Sequence, residues 1–496
     1  MFLKLFLAIF FIMPSVLSYS ANAKEPVHHI FFVHGLAGDA NTFGSMPAQL
    51  IKDLSKFDEH VQFESHIFHY PTENNKLQSY DFASDLAGFV KNIIPTFNKK
   101  DKISFVAHSQ GGLISSIVLF KSFAKEAGYL ADYTENFKNF ITLGTPFWGS
   151  KLADIISYPE GMIDRYIGDN KQDYFPRAGE KQLIEMSLFS KTIKRFRESV
   201  LNMDSQFAKI IFSKVRVLNI GGVANLQKLT RKYKSGFKPS GLVKLLPILF
   251  GGQYEYEADT AVSIPSSQLD SIYVDDVVAD YHENRVTPGS LSYQTHYADN
   301  VSVYGIHASP KANEFYDIAF LPSGLCPDII DCIHPTYEII YRHFAGLDIH
   351  HAKNILDQKK LSGFVVSFDI QLPAGHRNLV DEIEIERIET SRLTTFPKRI
   401  LYGVNIKFDK FFEIRSNSTY IQENRKNFHF TGAFHYLSGD SEIMKKDIKR
   451  DKLLVHANGA YLTFKVALKG FKSRIVKVLV KPTKSTFIKL NLEPKE

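Results

Sequence analysis

Cysteine and tryptophan are nearly missing from these 496 residues: there are two of the first and one of the second. So few thiols exclude a disulfide-built scaffold, and no His, Cys, Asp or Glu spacing in the text reads as a metal site. Beyond the first 23 residues no apolar run is long enough to span a bilayer as a helix. A strong charge bias is lacking as well. The formal net charge of +7 is modest for this length. It favours anionic surfaces but does not indicate nucleic-acid binding. Internal repeats and low-complexity tracts are absent too.

What is present begins with an export signal. Lys4 supplies a short positive region, 5–16 is apolar, and Ala21-Asn22-Ala23 fits the small-residue cleavage rule. A membrane anchor is the competing reading, but Pro14 breaks the run and its length is short for a span. Residues 1–23 are therefore expected to be a signal peptide, which places the mature chain in a periplasm or outside the cell. In that setting Cys326 and Cys332, close in sequence, are expected to form one small disulfide. The length predicts two or three domains, and an apolar fraction of 44% is enough for a sizeable core.

Chemistry concentrates around residue 109. Ile103 to Ala107 is a short apolar strand pattern, and Leu113, Ile114, Ile117 and Val118 recur at helical spacing. Between them stands Ala107-His108-Ser109-Gln110-Gly111, a variant of the G-x-S-x-G nucleophile elbow. In an elbow the serine backbone is strained and the residues two before and two after it crowd each other. Ala107 and Gly111 are small enough for that. A serine in an ordinary strand-to-helix turn is the plain alternative. Two further strands end in similar punctuation: Ile30 to Val33 runs into His34-Gly35-Leu36, and Phe140 to Leu143 runs into Gly144-Thr145-Pro146-Phe147-Trp148-Gly149-Ser150.

Three such motifs in this order are far more specific than any one alone. The chain resembles the α/β-hydrolase lipases and esterases, most nearly the bacterial triacylglycerol lipase and serine esterase branch, over roughly residues 28–350. The pattern of the residues agrees. Strands at 63–70, 103–107, 140–143, 215–220 (closed by Gly221-Gly222) and 301–306 alternate with helical stretches such as 80–94. That alternation predicts a doubly wound, mostly parallel sheet with ligands at the carboxyl ends of the strands. Residues 151–210 are helical in pattern. In the lipases this position holds a lid or cap, while a core helix pair is the bland alternative.

The resemblance implies a Ser-Asp-His triad in that chain order. Ser109 is the expected nucleophile. Asp259, in Asp259-Thr260-Ala261-Val262, resembles the acid segment of these enzymes, although Thr260 stands where glycine is usual. Asp275 and Asp276 are the fallback. Candidates for the base are His282, His296, His307, His334, His343, His350 and His351. His334 is favoured because it precedes a terminal helix, with Pro335 at its start and the Cys326–Cys332 loop to brace it. His307, which follows a strand, is the alternative. The oxyanion donors implied are the backbone N–H groups of Leu36 and Gln110, with His34, Gly35, His108 and Gly111 completing the motifs. No metal or organic cofactor is called for.

After a charged linker at 350–360 the texture changes. Residues 364–370, 400–408, 428–436, 460–468 and 475–480 read as strands, so that 351–496 is expected to be a separate all-β sandwich, and 24–350 a self-sufficient catalytic domain. Its lysines (Lys465, Lys469, Lys472, Lys477, Lys481, Lys484 and Lys489) are either solvated strand faces or a basic face toward anionic lipid. The function expected is an exported serine hydrolase of lipid esters. A phospholipase or lysophospholipase is the alternative substrate reading. A non-catalytic binding protein on a degenerate hydrolase fold is the alternative of another class.

Overall fold

The computed structural model of the protein describes residues 26–95, 98–150, 152–153, 179–201, 206–223, 259, 261–274, 292–294, 298–304, 306, 309–311, 314–316, 336–353, 355–358, 361–388, 412–422, 424–434 and 459–495. In chain order the elements of the first part are β1 (Val27–Val33), α1 (Met46–Phe57), β2 (Gln62–Phe68), α2 (Ser79–Ile93), β3 (Lys102–His108), α3 (Gln110–Phe123), β4 (Phe137–Leu143), α4 (Glu180–Glu185), α5 (Lys191–Leu201), α6 (Gln206–Lys214) and β5 (Arg216–Val223). There follow α7 (Ile264–Ser267), β6 (Ser271–Val274), β7 (Ser292–Gln294), β8 (Asp299–Tyr304), β9 (Ser309–Lys311), β10 (Glu314–Tyr316) and α8 (Tyr337–Phe344).

Six strands make a sheet of order β2-β1-β3-β4-β5-β8, with every neighbouring pair parallel. Their side chains alternate between two cores, as the period of a strand demands. Phe31, Val33, Phe105 and Ala107 face one cluster with α2, α3, α5 and α6. Ile30, Phe32 and Val106 face the other with α1 and α8. Helices on both faces of a parallel sheet are the doubly wound arrangement that the sequence predicts. Two details differ. Helix α1 is an element the sequence reading does not include. Gly221 and Gly222 do not close their strand but lie inside β5.

The described part of the 151–210 segment packs on the core along one side. Leu183, Met186, Ile193 and Phe196 join the cluster under α3, and the Phe196 ring stacks on Phe147 at 5.5 Å. Residues 154–178 lie outside the described residues.

The second part contains β11 (Gly363–Gln371), β12 (Glu384–Ile388), β13 (Phe412–Gln422), β14 (Arg425–Phe434), β15 (Ala460–Ala467), β16 (Arg474–Val480) and β17 (Ser485–Asn491). Phe364, Phe368 and Ile488 from one sheet pack against Leu462, Phe464 and Val478 from a three-stranded sheet of order β12-β15-β16, which is a sandwich. The larger sheet runs β13-β14-β11-β17-β6-β7. Its last two strands come from the hydrolase part: β17 pairs in parallel with β6, Ser485 opposite Ser271 through Ile488 opposite Val274. The expected division at residue 350 thus cuts through a hydrogen-bonded sheet.

Side chains close the same seam. The Trp148 indole N–H donates to the Gln268 carbonyl at 2.6 Å, and its ring lies 4.7 Å from that of Phe487. Ser485 Oγ donates to the Pro265 carbonyl. Lys484, grouped above with the surface lysines, is half-buried here, 3.4 Å from Asp270 and 3.1 Å from Gln268 Oε1. Desolvation pulls its pKa down and the Asp270 carboxylate opposes that. Among the described residues no helix is long and apolar enough to cross a membrane.

Candidate active site

Ser109 joins β3 to α3 with φ +51° and ψ −123°. An L-residue reaches that backbone only at a cost of about 1–3 kcal/mol, and the surrounding contacts hold it there. Gly111 is one of them: a Cβ on it would overlap the carbonyl oxygens of Val33 and His34. Helix α3 can therefore start directly beside the end of β1 only because residue 111 has no side chain. Gly112 likewise makes room for Thr145 of the Gly144-Thr145-Pro146 turn. The expected elbow is present in backbone geometry.

The loop after β1 lies over the serine. A Cβ at Gly35 would stand 2.7 Å from Ser109 Cβ, so only glycine lets the loop come this close. Gly38 N donates back to the Gly35 carbonyl at 3.1 Å, and Ala37 between them has φ +59°. His34 fixes the same carbonyl from the other side, its Nδ1 3.0 Å from Gly35 O. Tyr70 N–H points at His34 Nε2 at 3.3 Å, so Nε2 accepts and the Nδ1 proton goes to Gly35. The Tyr70 ring stacks flat on the imidazole at 4.3 Å, and its hydroxyl donates to the His34 carbonyl. Burial in this stack, helped by nearby His69, lowers the His34 pKa to about 4, so the ring is neutral.

A trans peptide directs its C=O and N–H to opposite sides. With the Gly35 carbonyl held by His34 and Gly38, the Leu36 N–H is turned away from them. It has no partner among the described residues, and neither has the Gln110 N–H at the start of α3. These two N–H groups lie on the loop that crowds Ser109 and on the residue that follows it. The Gln110 side chain is held below. Its Oε1 accepts from Tyr70 at 3.4 Å and its Nε2 donates to Ser79 Oγ. Ser79 in turn donates to the buried Glu185 carboxylate, whose pKa desolvation raises.

Asp259 is fully buried and accepts from the Val262 N–H at 3.0 Å. It sits on Gly222: a Cβ there would be 2.6 Å from Asp259 Cβ and would overlap the carboxylate. Gly222 is paired with Val303 near the carboxyl end of β8. The acid is thereby placed on the same edge of the sheet as the elbow. His307, His334, Asp275, Asp276, Cys326 and Cys332 lie outside the described residues. Of the residues named from sequence, the fold brings His34, Gly35, Leu36, His108, Ser109, Gln110 and Gly111 together. It adds Ala37, Tyr70, Thr145 and Gly222, to which the sequence reading gives no part in the site. Glycine in a strand interior is the available signal for the last, because it marks a close approach.

The parallel sheet with helices on both faces, the strained serine at the strand-to-helix turn and the glycine loop over it define the class of fold: an α/β-hydrolase fold. Residues 23–157 match a family model described as "Putative serine esterase (DUF676)". Among solved structures, phospholipase PlaB from Legionella pneumophila is similar in fold over almost the whole length. Its complex with thio-NAD aligns at TM-score 0.58 and 13% identity, covering 94% of each chain, and a second structure of it aligns at 0.57 and 14%, again over 94% of each chain. Bacillus licheniformis lipase BlEst2 aligns at TM-score 0.35 and 18% identity over 61% of this chain and 89% of its own. No curated protein matches the sequence.

Proposed function

We propose that the protein is an exported serine hydrolase that cleaves carboxylic esters of lipids through an acyl-enzyme. The observation that carries this is the seating of the Gly35 loop on a strained Ser109, which supports the Leu36 and Gln110 N–H groups as donors to an oxyanion. A neutral serine hydroxyl attacks an ester poorly, so a histidine takes its proton as the Oγ–C bond forms. Negative charge then develops on the former carbonyl oxygen, between the N–H groups of Leu36 and Gln110. Collapse of the tetrahedral intermediate expels the alcohol, which takes the proton from the histidine. Water repeats the sequence and frees the acid. Asp259 orients the imidazole and stabilises its positive charge.

For the base, strand placement supports His307 over His334. Val303 is paired with Gly222, on which Asp259 rests, and His307 follows Val303 by four residues. His334 comes 30 residues after the end of β8 at Tyr304, and the helix after it docks on α1 through the Tyr337 hydroxyl and Asp53. His307→Ala should therefore cost as much turnover as Ser109→Ala, while His334→Ala should be milder. The reverse ranking returns the role to His334.

Phospholipid is the substrate that the whole-length likeness to PlaB favours, because the alignment spans the sandwich as well as the hydrolase part. A lipid surface is then the partner, and a signal peptide cleaved after Ala23 the route of export. Labelling with a fluorophosphonate tests the nucleophile: wild type should react at Ser109, and Ser109→Ala should neither react nor hydrolyse. A chain-length series of p-nitrophenyl esters assayed beside phospholipids separates esterase, lipase and phospholipase. Absence of labelling in folded wild type would favour the binding-protein reading.

A further inference from the structure

At the amino ends of the strands, remote from the serine, three potential metal ligands converge. His29 of β1 is paired with Glu64 of β2, and Phe31 with His66, so all three side chains issue from one face of the strand pair. His29 Nδ1 lies 3.1 Å from His66 Nε2 and 3.4 Å from Glu64 Oε2, and His66 Nε2 lies 3.7 Å from the same carboxylate oxygen. Ligands about 2.0–2.2 Å from a tetrahedral zinc are about 3.3–3.5 Å from one another. The three atoms therefore already stand at the corners of such a site. Two imidazoles and a carboxylate are a borderline donor set that suits zinc better than magnesium or calcium.

The surroundings suit a bound ion. His29 is buried and His66 half-buried, their rings stacked at 5.3 Å, with Phe31 4.9 Å from the His66 ring. Glu64 is partly open to solvent, which leaves a fourth position for water. His29 is paired through the sheet with Ile103, six residues before Ser109, a distance of about 20 Å along the strand. An ion here takes no part in ester cleavage. It joins the edge strand β2 to β1.

We propose that His29, Glu64 and His66 form a zinc site that fastens the edge of the parallel sheet. The sequence reading expects no metal. The signal it passes over is Glu64-Ser65-His66, whose alternate residues share one strand face, opposite a histidine on the neighbouring strand.

The test uses full-length protein without a polyhistidine tag, freed of metal by a chelator and titrated with zinc chloride. One equivalent should bind, raise the melting temperature, and be replaceable by cobalt with visible absorption bands of a four-coordinate site. His66→Ala and Glu64→Gln should each weaken binding at least about tenfold and abolish the melting shift. Both should keep wild-type turnover of a soluble ester, which verifies their fold and separates this site from the catalytic one. Zinc binding by these variants equal to wild type, or cobalt binding without those bands, would overturn the proposal and leave the trio as a hydrogen-bonded contact. Because neither readout depends on hydrolysis, failure of the esterase reading would not be mistaken for failure of this one.

Discussion

Gly222 shows how much one missing methyl group can decide. Asp259 occupies the volume that a side chain at 222 would need. Gly222→Ala should therefore displace the carboxylate by close to 1 Å, and misplacement on that scale lowers turnover on the order of 10²-fold. Steady-state kinetics on a soluble ester should show the loss in kcat, with melting temperature changed far less than turnover. Buried histidines set the acid limit of the fold. Burial lowers the pKa of His34 to about 4 and those of His28 and His343 to about 3, all from an ordinary 6.5. The folded chain thus holds fewer protons than the unfolded one between these values. Stability is full above about pH 6.5 and falls as the pH drops toward 4 and 3. Each group contributes a few kcal/mol, because every tenfold loss of proton affinity on folding is worth about 1.4 kcal/mol. Unfolding free energy measured against pH should decline through that window. Flat stability from pH 7 to 4 would contradict it. At this scale Ser109, Gly35 and Gly111 are legible because their chemistry is local to a turn. Gly222 and Tyr70 are not, because their partners are distant in sequence.

The contact of α3 with β1 is the element on which the site depends. Gly111→Ala forces the helix start away from the carbonyls of Val33 and His34, which lead into the Gly35 loop. It should destabilise the fold by about 1–3 kcal/mol and reduce turnover at the same time, read by urea unfolding and by the same ester assay. A variant that keeps both would mean that the helix can shift freely. The strands of the parallel sheet are readable in the sequence because they are short apolar runs buried on both faces. Helix α1 carries a readable signal that the sequence reading leaves unused: Met46, Leu50 and Leu54 recur at a four-residue spacing, with Pro47 in the first turn and Lys52 and Asp53 between the leucines. Strand β5 reads short in the sequence because a glycine pair usually punctuates. Here it admits a carboxylate instead. In the second part β13 is a polar strand, Phe412–Gln422, whose pairing with β14 rather than its pattern defines it.

At the scale of the molecule, the hydrolase and the sandwich share a sheet. A cut at residue 350 leaves β6 without β17, Asp270 without Lys484 and Trp148 without Phe487. We predict that residues 24–350 alone lose activity on soluble ester and on lipid together and aggregate, rather than retaining the soluble activity that two independent domains would allow. Gel filtration and the ester assay decide it: a monomeric fragment with full-length turnover would restore the independent-domain reading. The sequence could not disclose this seam, because parallel pairing between Ser271 and Ser485 leaves no mark in either local pattern.

The same pairing also fixes an order of events during synthesis. Ser271 emerges 214 residues before Ser485, its partner. At about 5–20 residues per second the strand at 271–274 waits on the order of 10–40 s for the edge that will cover it. Until residues 485–488 are made, the strand at 271–274 lacks the parallel neighbour it has in the folded sheet.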